Sequence, residues 1–392
     1  MHTSRMMVKA SPYVPARPTL GWAQLGSRTR PLSWHPFTAE RVCWTELGRG
    51  ALRLAARVLG LEGAEVLVPA YHHGVEVDAL LAAGTSPAFY EVGARWAVDL
   101  DDLERRVSPR TRGILLTHFA GFPGPASQLR ALADRYGLVL IEDCAQALLS
   151  SDGGVPLGTT GDASVFSLRT SLPVPHGGGL VFNGRRGYQL PALERPAPGA
   201  TLRSILARLS HPRKLRSPAR AGLVGDFRRR LGRRFGIARA RGAPGSRPDE
   251  EPALGASPLM SRIARAHDLA GVAECRRRNF FHLLGALRGV APPLVSELPP
   301  GVCPLFYPLW VADRDEALAR LRAENVEAGE GWPAFHHRCD GIEFPEATRL
   351  RHHVIALPCH QDLGPAQVAH AARAALRAVR RDRTWRSRAA GG

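Results

Sequence analysis

The stretch LVLIEDCAQALLSSDGGVPLGTTGDASVFSLRTSLPVPHGGGLVF, residues 138–182, decides the fold that this sequence predicts. It opens with four apolar residues, Leu138 to Ile141, which indicate a buried strand and are followed by an acidic pair that includes Asp143. A polar linker leads to a second short strand over residues 163–168 and then to the glycines at 177–179. Open α/β sheets place their ligand chemistry at the carboxyl ends of parallel strands, so Asp143 is the first candidate site residue.

Strands and helices alternate before this stretch. Apolar runs predict short strands at 65–69, 86–90 and 113–117, and helical spacing predicts helices from 48 onward and at 78–83, 100–107 and 126–136. This alternation predicts an α/β fold, in which a mostly parallel mixed sheet lies between helices. After the stretch, a long helix over 261–287 precedes strands at 305–311 and 354–356 and helices at 314–324 and 365–379. These later elements predict a small C-terminal α+β domain.

Changes in composition divide the chain into four predicted parts. They are an N-terminal arm rich in Pro and Trp (1–39), a large domain (40–265), the small domain (266–380) and a loose tail (381–392). Residues 185–256 form an Arg-rich insertion in the large domain, whose Pro, Gly and Arg content predicts partial disorder.

The net charge of +18 is concentrated in that insertion. From Arg185 to Pro248, sixteen arginines and Lys214 face only Glu194 and Asp226, so the chain does not have the evenly basic surface of a nucleic-acid-binding protein. One interpretation is that the segment is a solvated insertion. The other is that it binds an anionic membrane surface, as basic amphipathic helices do.

The remaining composition predicts a cytoplasmic location. No apolar run reaches the ~20 residues of a membrane span, and the N-terminus lacks the apolar region of a signal peptide. The six cysteines are scattered without a Cys-x-x-Cys pair, which favours reduced thiols. The His and Cys residues between 336 and 360 fit no zinc-binding spacing, so no metal site is predicted.

Five motifs, in order and spacing, resemble the DegT/StrS family of sugar aminotransferases, which are fold type I enzymes. The motifs are GRGAL (48–52), EVLVPAYHHGVEVDALLAAG (65–84), IEDCAQA (141–147), GDASVFS with GGG (161–167 and 177–179) and LPCHQDL (357–363). The resemblance implies a homodimer that binds pyridoxal 5'-phosphate or pyridoxamine 5'-phosphate. It also implies a nucleotide-linked keto-sugar as ligand, in the biosynthesis of a polysaccharide or a glycosylated natural product.

The same resemblance assigns the cofactor-binding residues. Asp143 matches the aspartate that pairs with the pyridine nitrogen and so favours the electron-withdrawing protonated ring. Gln146 matches the residue near the ring hydroxyl, and His73 the ring that stacks on the pyridine, with His72 as the alternative register. The remaining matches are to residues that contact the phosphate: Gly48, Arg49, Gly50 and Ser167.

Each match also has a purely structural interpretation. Asp143 is then a strand-end residue that caps a following helix, Gln146 a solvated helix residue, and Ser167 an ordinary strand-end serine. In the family a small hydroxyl residue usually occupies the position of Arg49, and a partner-subunit asparagine is expected where Ser257 is the nearest substitute.

Thr170 occupies the position of the family's Schiff-base lysine. The chain has only two lysines, Lys9 and Lys214, and neither is close to this motif in sequence. A threonine hydroxyl cannot form an imine and is a poor proton carrier, and Arg169 stays protonated. General acid–base help contributes ~10²–10⁴-fold, so ordinary transamination is expected to be lost or severely reduced.

Three interpretations of Thr170 follow. The protein is a catalytically silent relative that acts as a partner or scaffold. Alternatively, it is a lysine-independent dehydratase that uses pyridoxamine phosphate, with His176 as the nearest candidate base. In the third interpretation, Lys214 folds back from the insertion to the site.

Overall fold

In this computed structural model, residues 11–21, 29–184, 188–205 (without 198, 200 and 202), 253–290, 294–332 and 334–380 are described. The two lysines, most of the Arg-rich insertion with its predicted membrane contact, and the predicted loose tail lie outside these ranges. Within them, no helix is both long and apolar enough to cross a membrane.

The large domain is built around one seven-stranded sheet. Its strands are β1 (Val42–Thr45), β2 (Glu65–Pro69), β3 (Ser86–Tyr90), β4 (Thr111–Thr117), β5 (Val139–Cys144), β8 (Ala163–Ser167) and β9 (Gly178–Phe182), with the two-residue strands β6 (Ser151–Asp152) and β7 (Val155–Pro156) forming a separate hairpin. The spatial order is β1-β9-β8-β5-β4-β2-β3. Pairing is parallel from β8 to β3 and antiparallel at β9 and β1. The predicted α/β fold with a mostly parallel mixed sheet is confirmed.

Helices with defined limits in the described part of this domain are α1 (Gly48–Val58), α2 (Val75–Leu81), α3 (Leu100–Arg105), α4 (Ala126–Tyr136) and α5 (Leu168–Ser171). Helix α1 buries an apolar face that includes Leu52, Ala55 and Ala56, and it packs against β8, β9 and α2. Strand β2 is buried along its whole length and β4 along most of it, as expected for parallel strands covered on both faces.

Helix α6 (Pro258–Arg265) and helix α7 (Leu269–Leu287) lead into the small domain. The single helix predicted over 261–287 is therefore wrong. The chain turns at His267, and Asp268 begins a new helix by accepting a hydrogen bond from the backbone N–H of Gly271. An aspartate at this position satisfies a backbone donor that would otherwise have no partner.

The small domain contains the antiparallel strands β10 (Phe306–Trp310) and β11 (Val354–Pro358) and the helices α8 (Arg314–Ala323), α9 (Pro345–His353) and α10 (Pro365–Arg380). Helices α7, α8 and α10 pack together, and α7 and α8 also contact the two strands.

A buried arginine joins the small domain to the end of β2. Arg351 donates to the carbonyl oxygens of Trp332 (2.8 Å), Ala334 (2.7 Å) and Ala70 (2.9 Å). Its guanidinium also lies 4.0 Å from the centre of the Phe335 ring. Burial lowers the pKa of Arg351 to about 10, and no carboxylate forms an ion pair with it among the described residues.

Candidate functional site

The carboxyl group of Asp143 lies at the end of β5, in the middle of the sheet. The residue is 9% exposed, and one carboxylate oxygen accepts a hydrogen bond from the backbone N–H of Ala145 at 2.9 Å. Burial, and then the negative charge of Glu76, raise its pKa from 3.8 to about 7. A buried carboxylate of this kind needs a cationic hydrogen-bond partner, and a protonated pyridine nitrogen meets that need.

The other member of the acidic pair, Glu142, is structural. It points away from solvent and accepts hydrogen bonds from the His118 ring at 2.9 Å and from the N–H groups of Thr160 (2.8 Å) and Gly161 (2.6 Å). The other ring nitrogen of His118 accepts from the N–H of Gly124, so Nε2 is the nitrogen that donates to Glu142. This network holds the turn between the hairpin and β8.

Glu76 is a site residue that the sequence reasoning missed. It is 6% exposed, and one of its oxygens accepts from the N–H of His73 at 2.8 Å. The other oxygen, Oε2, is buried without a hydrogen-bond partner among the described residues. The signal was available, since an acidic residue three positions after a turn residue commonly caps a helix start.

The two neighbouring histidines have different environments. His72 is fully buried, donates from Nδ1 to the carbonyl of Pro69 (3.1 Å) and accepts at Nε2 from the N–H of His336 (3.0 Å). Burial, then the charge of Arg351, lower its pKa to about 3, and its ring stacks on Phe89. His73 is exposed. The ring of His72 is thus held inside the core by its hydrogen bonds. The role of stacking on the cofactor stays a prediction for His73.

The hydroxyl of Thr170 forms hydrogen bonds with the backbone. Its oxygen lies 2.5 Å from the carbonyl oxygen of Ala145 and 2.6 Å from that of Ser167, so the single hydroxyl hydrogen is shared between them. The Ala145 carbonyl is two residues after Asp143, which places Thr170 beside the carboxyl end of β5. The arrangement offers no amine at this point.

His176, the candidate base, is 2% exposed, and its Nε2 lies 3.0 Å from the hydroxyl of Ser257. Ser257 is the predicted substitute for the partner-subunit asparagine and is itself buried. The roles proposed for both residues stay predictions, but their side chains contact each other within the protein interior.

The start of α1 lies directly against the end of β8. A Cβ atom added to Gly48 would lie 3.4 Å from the Cβ of Ser167 and from the carbonyl oxygen of Phe166. Leu47, which precedes α1, offers no side-chain cap, and the Ser167 hydroxyl does not cap α5. A helix N-terminus with a hydroxyl beside it suits a phosphate group. The contact brings Ser167 to Gly48 and its neighbour Arg49, whereas the N–H of Gly50 donates to the carbonyl of Leu47 at 3.0 Å.

Gln146 lies in a turn, not in a helix, because no helix follows β5. Its side-chain oxygen accepts from the backbone N–H of Ala120 at 2.7 Å and so supports the turn after β4, where Ala120 has φ 52°. The helix-cap interpretation of Asp143 is wrong for the same reason.

A buried clamp holds the segment after Thr170. Arg276 is 1% exposed and donates to the carbonyl oxygens of Ser171 (2.9 Å), Pro304 (3.2 Å) and Leu305 (2.9 Å). Gln361 donates to the same Ser171 carbonyl at 3.1 Å and accepts from Arg276 at 2.9 Å. The clamp fixes the backbone at the position of the missing lysine. Sequence gave no sign that Arg276, one of three consecutive arginines, is buried.

In the described part of the chain, no group of three or more His, Cys, Asp or Glu side chains is arranged to hold a metal ion.

Comparison with known proteins was made for sequence and for structure. The model of the DegT/DnrJ/EryC1/StrS aminotransferase family matches residues 39–184. GDP-perosamine synthase of Vibrio cholerae is 36% identical over 137 residues, which are 34% of this chain and 37% of that protein. The match thus spans little more than a third of that relative. The dTDP-3-amino-3,4,6-trideoxy-alpha-D-glucose transaminase of Streptomyces venezuelae is 27% identical over 356 residues, 87% of this chain and 82% of that protein.

The fold also resembles that of Spr1654 from Streptococcus pneumoniae, which has been solved in a PLP-form and a PMP-form. Each superposes with a TM-score of 0.69 at 16% identity, and the PMP-form covers 96% of this chain and 100% of that one. At this identity the likeness concerns the fold alone. The resemblance drawn from the sequence is confirmed: residues 39–184 match the DegT/DnrJ/EryC1/StrS aminotransferase family.

Proposed function

We propose that this protein binds pyridoxal 5'-phosphate or pyridoxamine 5'-phosphate without a covalent link, and that it acts on a nucleotide-linked keto-sugar. The family match and relatives named as sugar aminotransferases support this proposal. The proposed setting is polysaccharide or glycosylated natural-product biosynthesis.

The residues at the end of the sheet fit such a cofactor. Asp143 would hold the ring nitrogen, since its buried carboxyl has only the Ala145 N–H as a described donor. Ser167 and the start of α1 would hold the phosphate, and His73 is accessible for stacking. When bound, the cofactor supplies an electron-withdrawing ring that stabilises negative charge on the substrate carbon.

The observation that carries the proposal is the hydrogen bonding of Thr170, at the position that the resemblance assigns to the Schiff-base lysine. Its hydroxyl is shared by two backbone carbonyls, and no lysine lies in the described part of the chain. The protein therefore holds its cofactor by Asp143 and the phosphate contacts alone. Ordinary transamination is not expected, and the amine form is the favoured ligand because it needs no covalent link.

Two alternative functions remain as proposals. The first is a catalytically silent partner or scaffold, and it is favoured by the hydrogen bonds of the Thr170 hydroxyl to two carbonyls and by the burial of His176, which leave neither side chain as an accessible base. The second is a lysine-independent sugar dehydratase, in which His176 would have to become accessible. A return of Lys214 to the site is a third, minor proposal.

The remaining proposals concern the whole protein. We infer a homodimer, which the resemblance implies, and a cytoplasmic location, which the composition predicts. The predicted domain limits, 40–265 and 266–380, are kept as a proposal, as is a contact of the Arg-rich segment 185–248 with anionic membrane surfaces. Vesicle binding that survives removal of residues 190–250 would contradict the last proposal.

The central test compares the wild-type protein with Thr170→Lys and, as a control of similar length without an amine, Thr170→Met. Calorimetry should detect binding of pyridoxamine phosphate to the wild-type protein. After pyridoxal phosphate and borohydride, mass spectrometry should find an adduct only on Thr170→Lys. An adduct on the wild-type chain would show that another lysine serves. Absence of binding of either form to the wild-type protein would favour the silent partner.

A further inference from the structure

The N-terminal arm is fixed to the small domain on both sides of Arg17. Before it, the N–H of Val14 donates to the carbonyl of Asn325 (2.9 Å) and the N–H of Ala16 to the carboxylate of Glu327 (3.3 Å). After it, the N–H and hydroxyl of Thr19 both donate to the carboxylate of Asp362, at 2.7 and 3.3 Å. The backbone that carries Arg17 is therefore held in a defined place.

Residues 360–362 link this arm to α5 of the large domain. The ring of His360 donates to the carbonyl of Pro15 at 2.9 Å, and Asp362 holds Thr19. Between them, Gln361 donates to the carbonyl of Ser171, the last residue of α5. These three residues belong to the closing LPCHQDL motif of the sequence, so that motif brings Arg17 of the arm toward Arg169 of α5.

Three arginines lie close to this place. Arg49 follows Gly48 at the start of α1 and Arg169 lies two residues after Ser167, so the contact between Gly48 and Ser167 brings these two arginines together. Arg17 and Arg169 are exposed and Arg49 is half-buried. The pKa of Arg169 is lowered, first by loss of hydration and then by the positive charges of Arg17 and Arg49, whereas Glu46 acts in the opposite direction. Among the described residues none of the three arginines forms an ion pair.

Positive charges placed close together repel one another unless a bound anion lies between them. Guanidinium groups bind phosphate oxygens through paired N–H donors. The cluster also adjoins the Gly48–Ser167 contact, where a hydroxyl lies beside the N-terminus of α1.

We propose that Arg17, Arg49 and Arg169 form one binding site for a phosphate ester, with Arg17 delivered to it by the N-terminal arm. The identity of the ester rests on the proposed function. It is the monoester of the cofactor or the diphosphate of the nucleotide-sugar, which share the chemistry that the arginines recognise. Arg17 and Arg169 thereby supply phosphate affinity in a protein that lacks a covalent link to its cofactor.

The test measures two ligand pairs by calorimetry: pyridoxamine 5'-phosphate against pyridoxamine, and uridine diphosphate against uridine. The variants are Arg17→Gln and Arg169→Gln, and the matched control is Arg373→Gln, which removes the same charge from an exposed position on α10. We expect each site variant to bind at least one phosphate-bearing ligand with about tenfold lower affinity. The affinity for the phosphate-free ligand, and all affinities of the control variant, should be unchanged. The pair that is affected identifies the source of the phosphate.

The outcomes separate this proposal from the proposed function. If the wild-type protein binds uridine diphosphate but no pyridoxamine phosphate, and Arg17→Gln loses that binding, the proposed function fails and the arginine site stands. Equal binding of all phosphate ligands by wild-type protein and both variants would overturn the arginine site, as would no phosphate binding by the wild-type protein. Should Arg17→Gln unfold, Arg17→Lys keeps the charge and loses the paired donors, and should bind with intermediate affinity.

Discussion

The hydroxyl oxygen of Thr170 lies 2.5 Å from the backbone carbonyl oxygen of Ala145, beside the end of the strand that carries Asp143. A lysine at this position would extend past that carbonyl toward a bound cofactor. The threonine instead contributes to the fold, because it satisfies two carbonyl groups. The hydroxyl of Thr170 therefore belongs to the hydrogen bonding of the fold, and the side chain supplies no amine at this point.

This contact predicts the effect of removing the hydroxyl alone. Thr170→Val keeps the shape of the side chain but leaves the carbonyl oxygens of Ala145 and Ser167 without this donor. Because the position is only partly buried, we expect a loss of about 1 kcal/mol of unfolding free energy. Thr170→Ser, which keeps the hydroxyl, should lose less. Urea unfolding of the three proteins checks this, and equal stability of the Val and Ser variants would contradict it.

The raised pKa of Asp143 predicts a pH-dependent stability of the ligand-free protein. The folded state keeps a proton up to about pH 7 that the unfolded state releases near pH 3.8, so this group destabilises the fold as the pH rises through that window. Asp143→Asn removes the effect, at most about 4 kcal/mol above pH 7.

The measurement is the stability difference between Asp143→Asn and the wild-type protein from pH 4 to 8, which should grow with pH. Other titrating groups cancel in this difference. His72 is one of them, and its lowered pKa makes stability rise with pH between about 3 and 6.5. A difference that does not change with pH would contradict the assignment. Pyridoxamine phosphate should bind only to the wild-type protein.

The clamp on Ser171 predicts a large effect at Arg276. Arg276→Met keeps most of the volume but removes the guanidinium donor from the carbonyl oxygens of Pro304 and Leu305 and one of the two donors to Ser171. We expect a loss of roughly 3 kcal/mol of unfolding free energy, as when one partner of a buried polar network is removed. Arg278→Met, at an exposed position on the same helix, is the control. A loss at Arg276 no larger than that at Arg278 would show that the clamp does not stabilise the fold.

Close packing at β9 predicts that alanine substitutions at two glycines change the stability in opposite directions. A Cβ atom added to Gly178 would lie 2.3 Å from the hydroxyl of Thr45 and 2.4 Å from the backbone of Leu47, so Gly178→Ala must displace the start of α1. We expect a loss of at least 2 kcal/mol and weaker phosphate binding. Gly285→Ala lies in α7 with open space around the added atom and should stabilise the protein by up to about 1 kcal/mol. Thermal unfolding distinguishes the two variants.

The strands of the parallel sheet could be predicted because their sequences carry the signal themselves. The limits predicted for β2, β3 and α4 agree with the structure, since each is an apolar or amphipathic run bounded by turn residues. Strands β1 and β9 were missed. The glycines at 178 and 179 suggested a loop, whereas the structure uses them to let β9 approach Thr45 and Trp44.

Residues of the candidate site could be predicted only where a sequence motif places them at the end of a strand. Asp143 and Ser167 follow from β5 and β8. Arg17, Arg276 and Gln361 could not be found this way, because their roles depend on contacts between residues far apart in the chain. The long-range hydrogen bond from Gln361 to Ser171, for example, spans 190 residues.

Arg351 has a consequence for how ligands enter. A hinge motion that moved the small domain away from β2 would withdraw its guanidinium from the carbonyl of Ala70. Breaking such a buried charge-assisted bond is costly. Trp332, Ala334 and Phe335, which contact the same guanidinium, should therefore stay beside the end of β2 when a ligand enters.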